Sequence, residues 1–134
     1  GSVLLLKSLE GFNRAIHLRK RFGGTMRQSG LMAKAAEFAF LNNRARLVED
    51  HQRRAHLQSY MNDLGFEFKK IDNPTNMLYF RHPGIESSCL LKSFNSQGIG
   101  CFLMSGGYIR FVLHKDITDE ALELSKELIK ASLN

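Results

Sequence analysis

A chain of 134 residues that is 43% hydrophobic and 24% charged has the size and composition of one ordinary globular domain, which argues against disorder. Such a chain can bury a core without metal or disulfide support, and it holds no apolar run long enough for a membrane-spanning helix. The formal charge of +6 invites an anionic partner, and it is unevenly placed: Arg14, Arg19, Lys20, Arg21 and Arg27 share one short stretch without an acid.

Ser2–Lys7 carries a continuous apolar run and reads as a short buried strand; it lacks the basic flank and cleavage site of a signal peptide. Its start at Gly1-Ser2, with no methionine, suits an added dipeptide or the interior of a longer protein. Ser8 is placed to cap a helix through about Arg21, with Leu9, Phe12, Ile16 and either Leu18 or the stem of Arg19 facing inward, and Gly23-Gly24 to stop it. A second helix is expected from about Met26 to Asn43, with Leu31, Ala35, Phe38 and Ala39 at helical spacing. Asn42-Asn43 marks a break before a long helix that ends at Leu64-Gly65. In that helix Leu57, Met61 and Leu64 share one face, while Glu49, Asp50, Arg53 and Arg54 lie mainly off it.

The period then becomes extended. Phe66, Phe68 and the stem of Lys70 alternate with charges, and Asp72-Asn73-Pro74 turns the chain. Met77–Arg81 is a second strand, closed by His82-Pro83-Gly84, and Ile85–Ser96 is a helix with Gly98 just beyond. Ile99–Met104 and Tyr108–His114 form a hairpin around Ser105-Gly106-Gly107. Thr118 caps the last helix, whose expected buried stripe is Ala121, Leu124, Leu128 and Ile129. Several long helices followed by a small sheet with two covering helices make an α+β arrangement.

Autonomous catalysis is not expected. The histidines at 17, 51, 56, 82 and 114 show no ligand spacing, and Ser29 and Ser105 lack a nucleophile-elbow context. Cys89 and Cys101 form neither a metal pair nor a redox CxxC, a usage that suits a reducing cytosol. Two features remain. Glycines ahead of a helix allow close approach of an anion, and Arg27, expected in that helix's first turn, opposes the dipole unless an anion offsets it. Arg110 lies inside an apolar strand pattern, where it is either an outward arginine with its head in water or a fork that holds a carboxylate; pattern alone supports both equally.

The segments KRFGGTMRQSG, an Ala-rich helix, RLVEDHQRRAHL, NPTNMLYFR and YIRFVLHKDIT stand in the order seen in low-specificity L-threonine aldolases, and the chain resembles the C-terminal part of that family. The resemblance covers nearly the whole chain. It implies the aspartate-aminotransferase-like fold (fold type I) and a pyridoxal 5'-phosphate-dependent aldehyde lyase that cleaves threonine or allo-threonine to glycine and acetaldehyde. It also implies a cytoplasmic homo-oligomer, a dimer or tetramer, with neither a nucleic acid nor a membrane as partner.

In the same reading residues 1–25 are the tail of the large cofactor-binding domain, with a strand, a helix and the Gly-Gly loop. Residues 26–65 are linking long helices and 66–134 the small C-terminal α+β domain. Arg27 matches an arginine associated with the cofactor phosphate, in a neighbouring subunit's site. Lys20 matches a basic residue near that region, and Arg110 the arginine that holds the substrate's α-carboxylate. Thr25 stands where the family usually has a third glycine.

The opening GSVLLL is similar to the family segment just after the Schiff-base lysine, so that lysine is expected upstream of Gly1, and none of Lys7, Lys20 or Lys34 has its context. This chain alone is therefore expected to be inactive, and it shows no base for the β-hydroxyl proton. The alternatives are a non-catalytic basic module for nucleic acid, with steep salt dependence, and a degenerate homologue kept as an interaction surface. The scarcity of aromatics among the arginines counts against single-strand stacking.

Overall fold

Ser8 holds an extended backbone and its hydroxyl accepts the amide of Gly11 at 3.1 Å, so helix α1 (Leu9–Arg21) begins beside the residue expected to cap it. The computed structural model describes residues 4–133. They belong to two compact units, the first ending at Ala45 and the second starting at Arg46, a division that falls inside the segment 26–65.

In the first unit α1 stops at glycine, as anticipated. Gly23 takes φ +73° and donates its amide to the carbonyl of Lys20 at 3.1 Å, while Gly24 donates to that of Arg19 at 2.8 Å. This pair of bonds is the Schellman closure of a helix C-terminus. A Cβ on Gly24 would meet the Arg19 carbonyl oxygen at 3.1 Å, so the second glycine is required by close approach and the first by its left-handed backbone.

The next helix, α2 (Gly30–Asn43), starts at Gly30 and not at Met26, because Gln28 at φ +51° interrupts the helical path. The strand expected over Ser2–Lys7 is not formed by residues 4–7, which run irregularly; Ser2 and Val3 lie outside the described residues. A strand exists by its ladder, and this unit supplies no second strand among the described residues. The inward faces expected of α1 and α2 are likewise unburied, with Leu9, Phe12, Leu31 and Phe38 all exposed. Two helices alone provide no second layer for an apolar stripe.

The second unit opens with helix α3 (Leu47–Asp63). Leu57 and Met61 are buried, as their spacing implies, but so is Asp50, which was expected off that face. Arg46 accounts for this: its guanidinium donates to both carboxylate oxygens of Asp50, at 3.1 and 2.7 Å. A carboxylate in the first turn also meets the positive end of the helix. At the other end Gly65 adopts φ +86° and donates to Asn62, while Phe66 donates to Met61 at 3.1 Å. The buried side chains of Phe66 and Met61 supply the apolar contact that accompanies this closure. Gly65→Ala would place its Cβ in ordinary contact with His82 but force it into the left-handed region. It is expected to lower stability by about 1–2 kcal/mol, read as a lower urea midpoint, with Gly65→Asn losing less. An unchanged midpoint would mean that this closure is not a source of stability.

Strands β1 (Glu67–Phe68), β2 (Met77–Arg81), β3 (Phe102–Leu103) and β4 (Ile109–Val112) form an antiparallel sheet in the order β1-β2-β4-β3. Three are shorter than the apolar runs that announced them, and the lost residues became turns and edges. Helix α4 (Ser87–Ser96) also starts late, because Ile85 is engaged in a bridge with His82. Met104 and Tyr108 close the expected hairpin turn, with Gly106 and Gly107 both at positive φ.

One face of the sheet, carrying Leu78, Phe80, Ile109 and Phe111, is buried with residues of α3, α4 and the last helix, α5 (Asp119–Ala131). Thr118 caps α5 by accepting the amide of Ala121 at 3.2 Å, and Arg53 ties α3 to its first turn through Asp119 at 2.7 Å. The α5 stripe differs from expectation: Leu122, Lys126 and Ile129 are buried, while Ala121 and Leu124 are exposed. Lys126 lays its stem inward and carries its head to Glu123 at 2.7 Å, a snorkelling role that a count of apolar residues overlooks.

Candidate functional site

Strand alternation puts Arg110 on the sheet face opposite the core, because its neighbours Ile109 and Phe111 point into it. Antiparallel register then fixes its company. Tyr79 of β2 and Phe102 of β3 are its direct cross-strand partners, one on each side. The guanidinium carbon lies 5.6 Å from the centroid of the Phe102 ring, within cation–π range. The hydroxyl of Tyr79 is turned to the sulfur of Met77 at 3.4 Å. Nε of Arg110 is shielded from solvent and has no hydrogen-bond partner.

The same face holds a second cationic pair. Arg81 and Lys69 approach the Tyr108 ring at 5.6 and 5.9 Å, and Glu67 is already engaged with Arg81 at 2.8 Å. That hydrogen bond holds the Arg81 guanidinium above its ordinary pKa. Arg110, by contrast, makes no ion pair with any described residue. A shielded N–H donor without an acceptor is costly, and the planar fork beside it has the geometry to receive a carboxylate. Arg110 is half-buried, with only Nε shielded, so the two readings left open by its strand pattern both remain compatible with its position.

Arg27 and Lys20 belong to the first unit, Arg110 to the second. Arg27 lies in the turn of residues 27–29 and not, as expected, in the first turn of α2. It precedes a helix start that has no acid in its first turn and no side-chain cap at Ser29. Lys20 sits in the last turn of α1 with Arg19 and Arg21, where cations complement the negative end of the dipole. The anion cradle expected of Gly23-Gly24 is corrected by their hydrogen bonds, since both amides are engaged with helix carbonyls. The positive excess has a clear location. Residues 1–45 hold eight basic and two acidic side chains, against eleven of each over 46–134.

No group of His, Cys, Asp and Glu among the described residues is arranged to hold a metal, and none of their helices is long and apolar enough to cross a membrane. Burial pushes the Cys101 thiol up to about 11, which keeps it protonated and unreactive near neutrality. Tyr79 and Phe102 were missed in the sequence. Period-2 alternation placed each on a strand, but only the register shows that both flank Arg110.

Residues 1–83 match the Beta-eliminating lyase family. The chain is 35% identical over 119 residues to the low specificity L-threonine aldolase of Escherichia coli K12, covering 89% of this chain and 34% of that protein. It is 33% identical over 129 residues to a probable low-specificity L-threonine aldolase 2 of Arabidopsis thaliana, covering 92% and 36%. A probable low-specificity L-threonine aldolase of Schizosaccharomyces pombe is 27% identical over 120 residues, covering 90% and 30%. The chain thus spans about a third of the length of these relatives. Its α+β architecture and a match over more than half of its residues carry one conclusion: the chain belongs to the beta-eliminating lyase family.

Proposed function

We propose that this chain is the carboxylate- and phosphate-holding C-terminal portion of a pyridoxal-phosphate-dependent aldehyde lyase that cleaves L-threonine and L-allo-threonine to glycine and acetaldehyde. The observation that carries this reading is the shielded, unpartnered Nε of Arg110 on the exposed sheet face. An amino-acid carboxylate is a natural acceptor for the guanidinium that this nitrogen belongs to. Bidentate capture of that group would fix the ligand's Cα, and orientation of the bond to be broken is a contribution to rate.

Bound pyridoxal phosphate supplies the electron sink for the carbon–carbon cleavage. The residues present fit its phosphate at one place: Arg27, an exposed cation beside the uncapped start of α2, makes no ion pair with any described residue. Arg27 would carry the phosphate contact, in the site of a neighbouring subunit, with Lys20 adding charge. The Schiff-base lysine is assigned to the portion of the relatives that this chain does not span. Residues 1–25 then belong with the large cofactor-binding domain, 26–65 with the linking helices and 66–134 with the small domain. The exposed apolar side chains of α1 and α2 support a homo-oligomeric assembly, which this reading places in the cytoplasm.

The test is product release by the cofactor-loaded protein that carries this chain. Incubation with L-threonine and with L-allo-threonine should liberate glycine and acetaldehyde in equal amounts. Arg27→Ala should raise the pyridoxal phosphate concentration needed for half-maximal activity by about tenfold, the loss of one charge-assisted contact. Absence of aldehyde from both substrates would overturn the reading.

A further inference from the structure

Arg110 is oriented by an aromatic ring and not by a carboxylate. That choice has a chemical consequence. An acidic partner would also fix the guanidinium, but it would occupy the N–H donors and cancel the charge, as Glu67 does for Arg81. A ring face attracts the cation through its quadrupole and leaves the in-plane donors free. Phe102 is two-thirds exposed, at 66%, on the short edge strand β3, so its ring contributes little to the core. On the other side Tyr79 gives its hydroxyl to Met77 and takes no donor from Arg110 either.

We propose that Phe102 is a positioning residue that presents Arg110, with no acid competing for its terminal donors, to the carboxylate of an amino-acid ligand. The inference rests on the carboxylate reading of Arg110 and deepens it. Phe102 fixes the guanidinium plane before the ligand arrives, so less rotamer freedom is lost on binding.

The probe is glycine, titrated into the 134-residue chain while the side-chain Nε–Hε resonance of Arg110 is followed by NMR. Steady-state kinetics of the cofactor-loaded protein run in parallel. In the wild type the ring should shift the Arg110 resonance. Phe102→Leu keeps an apolar side chain and removes the π face. It should abolish that shift, weaken glycine about two- to five-fold, and raise KM by the same factor with a smaller change in kcat. Phe102→Tyr should restore all three. If Phe102→Leu binds glycine like wild type while Arg110→Ala has lost binding, Phe102 has no positioning role and the carboxylate reading stands. If Arg110→Ala itself binds glycine unchanged, the carboxylate reading fails and this inference with it.

Discussion

Arg110→Ala in the cofactor-loaded protein is expected to raise KM for L-threonine about 10- to 100-fold. This is the loss of a hydrogen-bonded ion pair in a partly desolvated position. Arg110→Lys should recover only part of it, because an ammonium is a point charge and cannot match both carboxylate oxygens in one plane. Stability should move differently. Nε of Arg110 is shielded and unpaired in the unliganded protein, so its removal takes away a desolvated donor that nothing satisfies. The urea midpoint of Arg110→Ala should therefore stay level or rise slightly while affinity falls. A residue retained for packing would lose both together. An unchanged KM would remove Arg110 from the substrate site, however free its donors are.

How much of this was legible in the sequence depends on where the deciding interaction lies. Helix stops were read correctly because their cause is local: Gly23 and Gly65 supply a backbone conformation that other residues resist. Thr118 and Ser8 cap their helices for an equally local reason. Strand β2 was read to the residue, since its alternation is flanked by strong turn signals on both sides. Failures cluster where a partner decides. Residues 4–7 have the composition of a strand but no ladder to join, and the stripes of α1 and α2 have no layer to meet within their unit.

Polar residues misled in the opposite direction. Asp50 and Lys126 looked like surface residues by type, and each is buried because a specific neighbour, Arg46 or Glu123, receives its charged end. The basic Gly-Gly stretch shows how two causes can share one motif. Its glycines close a helix and its cations suit a helix C-terminus, so most of the motif has a structural origin. Arg27 alone lies beyond that closure, ahead of a helix start without a side-chain cap, which is why the proposed phosphate contact falls to it with Lys20 adding only charge.

The largest expected loss of stability comes from Phe80→Ala. Phe80 is completely buried, and its ring lies 4.7 Å from Phe111, 5.5 Å from Phe66, 6.0 Å from Phe68 and 6.2 Å from Phe94. It joins the aromatic side chains of two strands, a helix and the α3–β1 connection. Truncation removes the edge contacts and leaves a cavity that rigid neighbours on several elements cannot close. The cost should be about 3–5 kcal/mol. A unit of roughly 90 residues has only about 4–13 kcal/mol of stability to lose. The urea midpoint should fall steeply at nearly constant slope, whereas Phe80→Leu, which keeps most of the volume, should lose about half as much or less.

Ligand affinity distinguishes this change from Arg110→Ala. Phe80 pairs with Ile109 one register step from the Tyr79–Arg110 pair, on the opposite face of the same two strands. Its loss weakens carboxylate binding only through the fraction of molecules that unfold. Glycine binding by Phe80→Leu should return to the wild-type value when an osmolyte restores folding, and Arg110→Ala should not respond to the same treatment. A Phe80→Ala unfolding free energy within about 1 kcal/mol of wild type, well below the usual cost of such a cavity, would mean that the aromatic cluster does not hold the sheet together. The placement of Arg110 would then have to be explained by the strand pairing alone.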